Sequence, residues 1–130
     1  KYRNSVKIEI GKKSMKSHWV LMTKDVIPDS RNKKYKDQKA LVTRHASKAG
    51  IPYKIPNVLQ ATTSILMHYV ETREALYTDG ILGPERTFTR CQEDMKQHTP
   101  AIGNFSSKLL RVLMDINNEH IVGVACCWCV

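Results

Sequence analysis

The chain has 130 residues, of which 42% are apolar and 25% charged, and its net charge is +9. These proportions are typical of one globular domain and exclude a wholly disordered chain, and no apolar run approaches the length of a membrane span. The charge is uneven: residues 1–50 hold 14 Lys/Arg against 4 Asp/Glu, and residues 51–130 hold 7 against 8. This asymmetry favours polyanion partners such as nucleic acid, an anionic membrane or an acidic protein. The alternative is a solvated basic surface that keeps the domain soluble.

The N-terminal segment has the pattern of a β-hairpin. Val6–Ile10 alternates apolar and polar residues, the period-two signature of a half-buried strand. Gly11–Ser14 can turn the chain, and His18–Met22 is predicted as the returning strand. We expect Trp19 to pack in the core, and the alternative is that Trp19 and Tyr2 stack on nucleic-acid bases.

Two helices are predicted in the middle of the chain. Asp37–Ala49 has apolar residues at three- and four-residue spacings, and Gly50 is a natural stop. Asn57 can cap a second helix, and the apolar stripe of Val58–Val70 gives the clearest helical pattern in the chain.

The junction of these helices is helix–turn–helix-like. Ala46 is small enough for a second helix to approach, Gly50 turns the chain, and Ile51 can fill the space between the helices. In a DNA-binding version the second helix would enter the major groove. Because Pro52 and Pro56 crowd its start and its face is aliphatic, we favour a plain αα-hairpin packed on a sheet.

The C-terminal segment is predicted as a second hairpin. Leu109–Ile116 and His120–Trp128 are rich in Val, Ile and Leu and flank a polar turn at 117–119. Ser106–Met114 could be helical instead. The fold class is therefore α+β in one domain, residues 1–130: an N-terminal β-hairpin, a central pair of helices and a C-terminal β-hairpin in one small sheet.

The four cysteines do not have the spacing of a zinc site. Cys126 and Cys127 are adjacent, and adjacent strand residues point to opposite faces. We expect reduced, buried thiols, no metal and no cofactor, although a disulfide from Cys91 to one of the others stays open. This favours a reducing compartment such as the cytoplasm. Because the chain begins at Lys1, we expect a fragment or processed product, so the lack of a targeting segment decides little.

Part of the chain, residues 40–113, resembles the bacterial histone-like DNA-binding family (HU and its relatives). The similar elements are Ala46–Ile51, the following long helix, the Gly83–Phe88 segment, and Pro100-Ala101 with Phe105 and Lys108–Leu110. The resemblance implies a DNA-binding fold. The family's Arg/Gly/Pro-rich arm is absent between Thr89 and His98, so the resemblance does not extend to arm-based DNA bending.

A shorter segment resembles another family. Asp79–Thr87 looks like the Asp-Gly-x-x-Gly-Pro-x-Thr loop of peptidoglycan-binding three-helix domains, with one extra residue before Thr87. Leu59-Gln60 and Cys91-Gln92 stand where that family has a helix and a Phe-Gln pair. This resemblance implies a cell-wall-binding loop at Asp79–Pro84, and a bare turn is the alternative.

No catalytic spacing links the five histidines and the carboxylates, so an enzyme is not the favoured class. A small basic nuclease or toxin domain that assembles His45 and His120 in space stays an alternative. We expect His68 to be a hydrogen-bonded residue at the edge of the core.

The leading functional prediction is nonspecific binding of nucleic acid, DNA before RNA, through phosphate contacts of the basic N-terminal part. The predicted contact residues are Lys12, Lys13, Lys16, Arg31, Lys33, Lys34, Lys36, Lys39, Arg44 and Lys48. The alternative partners are peptidoglycan or a protein, including a second copy of the chain.

Overall fold

The computed structural model describes residues 16–77, 87–94, 98–106, 109–114 and 120–129. No helix in these ranges is both long and apolar enough to span a membrane. The elements in chain order are β1 (Val20–Met22), α1 (Tyr35–Ala49), α2 (Val58–Thr72), β2 (Phe88–Arg90), β3 (Ala101–Ser106), β4 (Leu109–Leu113), β5 (Val122–Gly123) and β6 (Cys127–Cys129). The α+β class is confirmed.

The strands form two sheets, so the prediction of one small sheet is wrong. One sheet has the order β4-β3-β2-β5, and the other pairs β1 with β6. The predicted C-terminal hairpin is also wrong, because β4 pairs with β3, while β5 pairs in parallel with β2 and β6 pairs antiparallel with β1. Residues 124–126 are buried and carry the chain from one sheet to the other.

The returning strand of the predicted N-terminal hairpin is present as β1, whose partner among the described residues is β6, with Leu21 opposite Trp128. The other predicted strand, Val6–Ile10, lies outside the described residues. Trp19 precedes β1 and is 83% exposed, so the expectation that it packs in the core is wrong. The reason is strand alternation: Trp19 shares the outward face with the exposed Leu21, while Val20 and Met22 are partly covered.

Both predicted helices are present. α1 begins two residues before Asp37 and ends where Gly50 adopts a left-handed conformation, with φ of 64°. α2 begins with a capping box, in which the Asn57 side chain accepts from the Gln60 N–H and the Gln60 side chain accepts from the Asn57 N–H. The Glu93 carboxylate also accepts from the first N–H of α2, at Val58, where the helix dipole favours an anion.

The helices bury their apolar residues in different clusters. Val58, Ala61 and Ile65 of α2 belong to a cluster that includes residues of the four-stranded sheet. Val42 of α1 belongs to a second cluster, and between the helices Lys54 forms a bridge with Cys127 of β6. This differs from a helix–turn–helix unit, whose two helices pack on each other.

Candidate nucleic-acid interface

The outer face of α1 is basic. One turn of an α-helix takes 3.6 residues, so the buried Gln38 and Val42 mark the side of α1 that faces the core. Four of the predicted contact residues are exposed along the helix, and we call them the α1 basic face: Lys36, Lys39, Arg44 and Lys48.

The N-terminus of α1 breaks the usual rule for helix caps. The N-cap residue is Lys34, and no side chain there makes a capping hydrogen bond. Helices prefer Ser, Thr, Asp or Asn at this position because the first N–H groups need an acceptor. Lys33, Lys34 and Lys36 also place positive charge where the helix dipole is already positive. An anion bound at this end would offset both costs.

Carboxylates contribute little to neutralising this surface. Between residues 33 and 48 the chain has six Lys/Arg and one acid, Asp37, for a net charge of +5. Within the part of the chain that the structure describes, no ion pair joins a carboxylate to the α1 basic face. Glu74, just beyond the C-terminal end of α2, forms an ion pair with Lys24 and a hydrogen bond with His68 Nε2 at 3.0 Å, so His68 is hydrogen-bonded as expected.

The remaining predicted contact residues have other surroundings. Arg31 is half-buried, and its Nη2 donates to Thr87 Oγ1 at 2.7 Å, which ties the loop before α1 to the start of β2. Lys16 is exposed ahead of β1. Lys12 and Lys13 lie outside the described residues, as does the Asp79–Pro84 loop.

In the described part of the chain we find two grooves that border α1, and each contains one cation of its basic face. The first, of about 520 Å³, is lined by Lys48, His45, Asp25 and Tyr53, among others. The second, of about 380 Å³, has Lys39, Tyr35 and again Tyr53 in its walls. His120 is exposed at the turn before β5 and is not one of the residues that line the first groove, so that groove does not unite the two histidines of the nuclease alternative.

The Tyr35 phenol, in the wall of the second groove, stays neutral at ordinary pH. Burial raises the pKa of Tyr35, and the Arg90 cation partly offsets that effect. A neutral phenol keeps its O–H proton, so it can donate a hydrogen bond to a phosphate oxygen.

All four cysteines are free thiols, so the disulfide left open for Cys91 is not formed. Cys91, Cys126 and Cys127 are buried, as expected, while Cys129 is exposed. Burial raises the pKa of Cys91 and Cys126, and burial together with the neighbouring Cys129 raises that of Cys127 to about 12. The three buried thiols therefore stay protonated at neutral pH and are poor nucleophiles.

Two features of this surface were missed by the sequence analysis. Gln38 is fully buried, and its Nε2 donates to Ser30 O and Val122 O. These two hydrogen bonds hold α1 against the loop that precedes it and against β5. The missing cap at Lys34 was not predicted, because the sequence placed the start of the helix at Asp37 rather than at Tyr35. The absence of Ser, Thr, Asp or Asn from residues 33–36 was the available signal.

Comparisons with protein-family models, with curated proteins and with solved structures find no match for this chain.

Proposed function

We propose that the domain binds nucleic acid without sequence preference, through phosphate contacts of the α1 basic face and the lysines at the N-terminus of α1. The observation that carries this proposal is the uncapped, lysine-rich start of α1, followed by a helix face with four exposed cations. Local rules broken at a stability cost are typical of functional sites.

The residues between these cations support backbone contacts rather than base readout. Bases are read mainly by Arg, Lys, Asn or Gln side chains that enter a groove. Gln38 is the only amide side chain on α1, and it is buried. The Thr43 and Ser47 hydroxyls donate to carbonyls of their own helix, Lys39 O and Thr43 O. Phosphate contacts fix position without carrying sequence information.

The dimensions of the face fit a nucleic-acid backbone. Lys36 and Lys48 are twelve residues apart on α1, which at about 1.5 Å per residue is roughly 18 Å. At about 3.4 Å per base pair, that length spans roughly five phosphates of one strand. At about 100° per residue, Lys36 and Arg44 lie on the outward side of α1 and can approach different phosphates of one strand, whereas Lys39 and Lys48 extend from its two flanks, about 180° apart.

The exposure of Trp19 supports single-stranded nucleic acid as one ligand of the domain. Its indole is 83% exposed, close in the chain to the exposed Lys16. Proteins that bind single strands combine cations with aromatic rings on which bases stack. The exposed indole of Trp19 is therefore available to stack on a base, which was the alternative role expected for it.

The test compares two double variants with the same change in net charge. Lys36→Gln/Arg44→Gln neutralises two of the four cations of the α1 basic face, and Lys24→Gln/Arg73→Gln neutralises two exposed cations near the C-terminal end of α2. Fluorescence anisotropy with labelled duplex DNA, single-stranded DNA and RNA at low salt gives the affinities. We expect the first variant to bind at least about tenfold more weakly on every sequence, and the second within about twofold of wild type.

Equal losses of affinity in the two variants would show that the net charge of the domain, and not the α1 basic face, governs binding. That result would overturn the proposal. Absence of binding by the wild-type domain at low salt would do the same. A peptidoglycan pull-down and a cleavage assay with labelled RNA, comparing wild type with His45→Ala and His120→Ala, report separately on the two alternatives.

A further inference from the structure

Two thiols of β6 lie on the same side of the strand. Cys127 and Cys129 are two residues apart, so their side chains point to one face, and their Sγ atoms are 3.9 Å apart. The adjacent Cys126 and Cys127, by contrast, point to opposite faces. Cys126 indeed packs in the core cluster of Ile27 and Val42.

The distance between the two sulfurs is that of a metal chelate. Two sulfurs bonded at about 2.3 Å to a tetrahedral ion are roughly 3.8 Å apart. The observed 3.9 Å matches this distance without any movement of the strand.

A disulfide fits the same pair less well. It requires an Sγ–Sγ distance of about 2.05 Å and a Cα–Cα distance of at most about 6.8 Å. Two residues of extended strand already span about 6.6–6.8 Å. That span lies at the upper limit for a disulfide, and oxidation would also have to draw the two Sγ atoms together from 3.9 Å while Cys127 stays paired with Met22 and Lys54 and Cys129 with Val20.

The side chain of Gln60 orders the two sulfurs. Its Oε1 accepts from Cys127 Sγ at 3.9 Å, and its Nε2 donates to Cys129 Sγ at 2.8 Å. Because Gln60 is also part of the α2 capping box, its amide is held in place. The pair opens into a groove of about 310 Å³, where Gln92 and Lys54 line the other walls. An ion can thus reach the sulfurs from solvent through the exposed Cys129.

We propose that Cys127 and Cys129 form a two-thiolate site for a soft d10 metal ion, Cu⁺ or Zn²⁺. Thiolate sulfur selects these ions over Mg²⁺ and Ca²⁺. The described residues contain no group of three or more His, Cys, Asp or Glu with metal-site geometry, so the two thiols are the ligands that this part of the chain supplies here. Binding displaces one proton from each thiol, and water completes the coordination of Zn²⁺. The site lies on β6 and is independent of the function proposed for α1.

The test is metal competition on the reduced 130-residue chain. Cu⁺ and Zn²⁺ are titrated in separate experiments against a chromophoric chelator, with wild type, Cys129→Ser and the control Cys126→Ala. Cys129 is exposed, so its substitution should leave the fold intact, which circular dichroism checks. We expect one ion per chain, and an affinity loss of at least roughly 100-fold in Cys129→Ser, because even outer-shell changes cost about 10–100-fold. Cys126→Ala should bind as wild type does.

X-ray absorption of the loaded chain identifies the ligands. Two sulfurs with added oxygen neighbours are expected for Zn²⁺, and two sulfurs with at least one further ligand for Cu⁺, because a two-coordinate Cu⁺ would hold the sulfurs on opposite sides and farther apart than 3.9 Å. The proposal is overturned if neither ion binds, if Cys129→Ser retains wild-type affinity, or if Cys126→Ala loses as much affinity as Cys129→Ser.

Discussion

Gln38 is the side chain that holds the basic helix in place. It is fully buried at the start of α1, and its Nε2 bridges Ser30 O at 2.8 Å and Val122 O at 3.0 Å. A buried carbonyl without a donor costs free energy, so these two bonds are hard to replace with apolar packing. The Gln38 amide and the packing of Val42 in the second core cluster together fix the orientation of the α1 basic face.

Substituting Gln38→Leu should lower the free energy of unfolding by about 1–3 kcal/mol, because two carbonyls lose their donor inside the protein. Lys39→Ala, on the adjacent exposed position, is the control and should stay within about 0.5 kcal/mol of wild type. Urea denaturation followed by circular dichroism measures both. If Gln38→Leu unfolds at the wild-type urea concentration, the bridge has no structural importance.

Residues of this kind set the limit of prediction from sequence. A polar residue in an amphipathic helix gives no sign of which carbonyls it will meet 84 residues away. The exposed cations of α1 could be predicted from the sequence because Lys and Arg side chains are almost never fully buried. The outward Trp19 was not, since a β-strand's burial depends on which of its faces the fold covers.

At the scale of elements, the helices were predictable and the sheets were not. Asn57 and Gln60 form the local capping signal of α2, and Gly50 marks the end of α1, so both helices were located to within two residues. The strands have two to six residues, and their partners come from distant segments, as in the parallel pair of β2 and β5. Hydrophobic pattern identifies such strands but does not choose between partners.

The uncapped start of α1 gives a prediction that couples stability to binding. Lys34→Asn supplies the missing acceptor and removes one cation, so it should raise the free energy of unfolding by about 0.5–2 kcal/mol. It should also weaken nucleic-acid binding, because a phosphate no longer has an uncapped, cationic helix end to bind.

The matched control is Lys39→Asn, which removes the same charge at a position that caps nothing; it should weaken binding without adding stability. Urea denaturation and fluorescence anisotropy on the same samples give both quantities. Tighter binding by Lys34→Asn, or no gain in stability, would contradict this interpretation of the helix end.

For the whole molecule, burial of ionisable groups predicts a loss of stability at alkaline pH. Burial raises the pKa of the Cys91 thiol and of the Tyr77 phenol above their ordinary values of 9.0 and 10.0. Above those values the unfolded chain releases protons that the folded chain retains. The stabilisation is therefore complete below the unfolded pKa values and is lost progressively as pH rises from them towards the higher folded-state pKa values.

We expect the free energy of unfolding to fall between about pH 8 and about pH 10.5, by up to about 1.4 kcal/mol per pH unit for each such group. Cys91→Ala removes one of these groups and should give a shallower decline, although its stability at neutral pH is lower. Urea denaturation at a series of pH values measures the slope. An unchanged slope in Cys91→Ala would show that this thiol does not contribute.

The charge of the whole molecule is divided between two regions: a basic region that includes α1 and a nearly neutral scaffold. If the α1 basic face contacts phosphates, its four cations should set the salt dependence of DNA binding. The variant Lys36→Gln/Lys39→Gln/Arg44→Gln/Lys48→Gln removes the whole face. A plot of log K against log salt should lose about one unit of slope for each phosphate contact removed, or about four for this variant. If the variant keeps the wild-type slope, the phosphates are contacted elsewhere and the account is wrong.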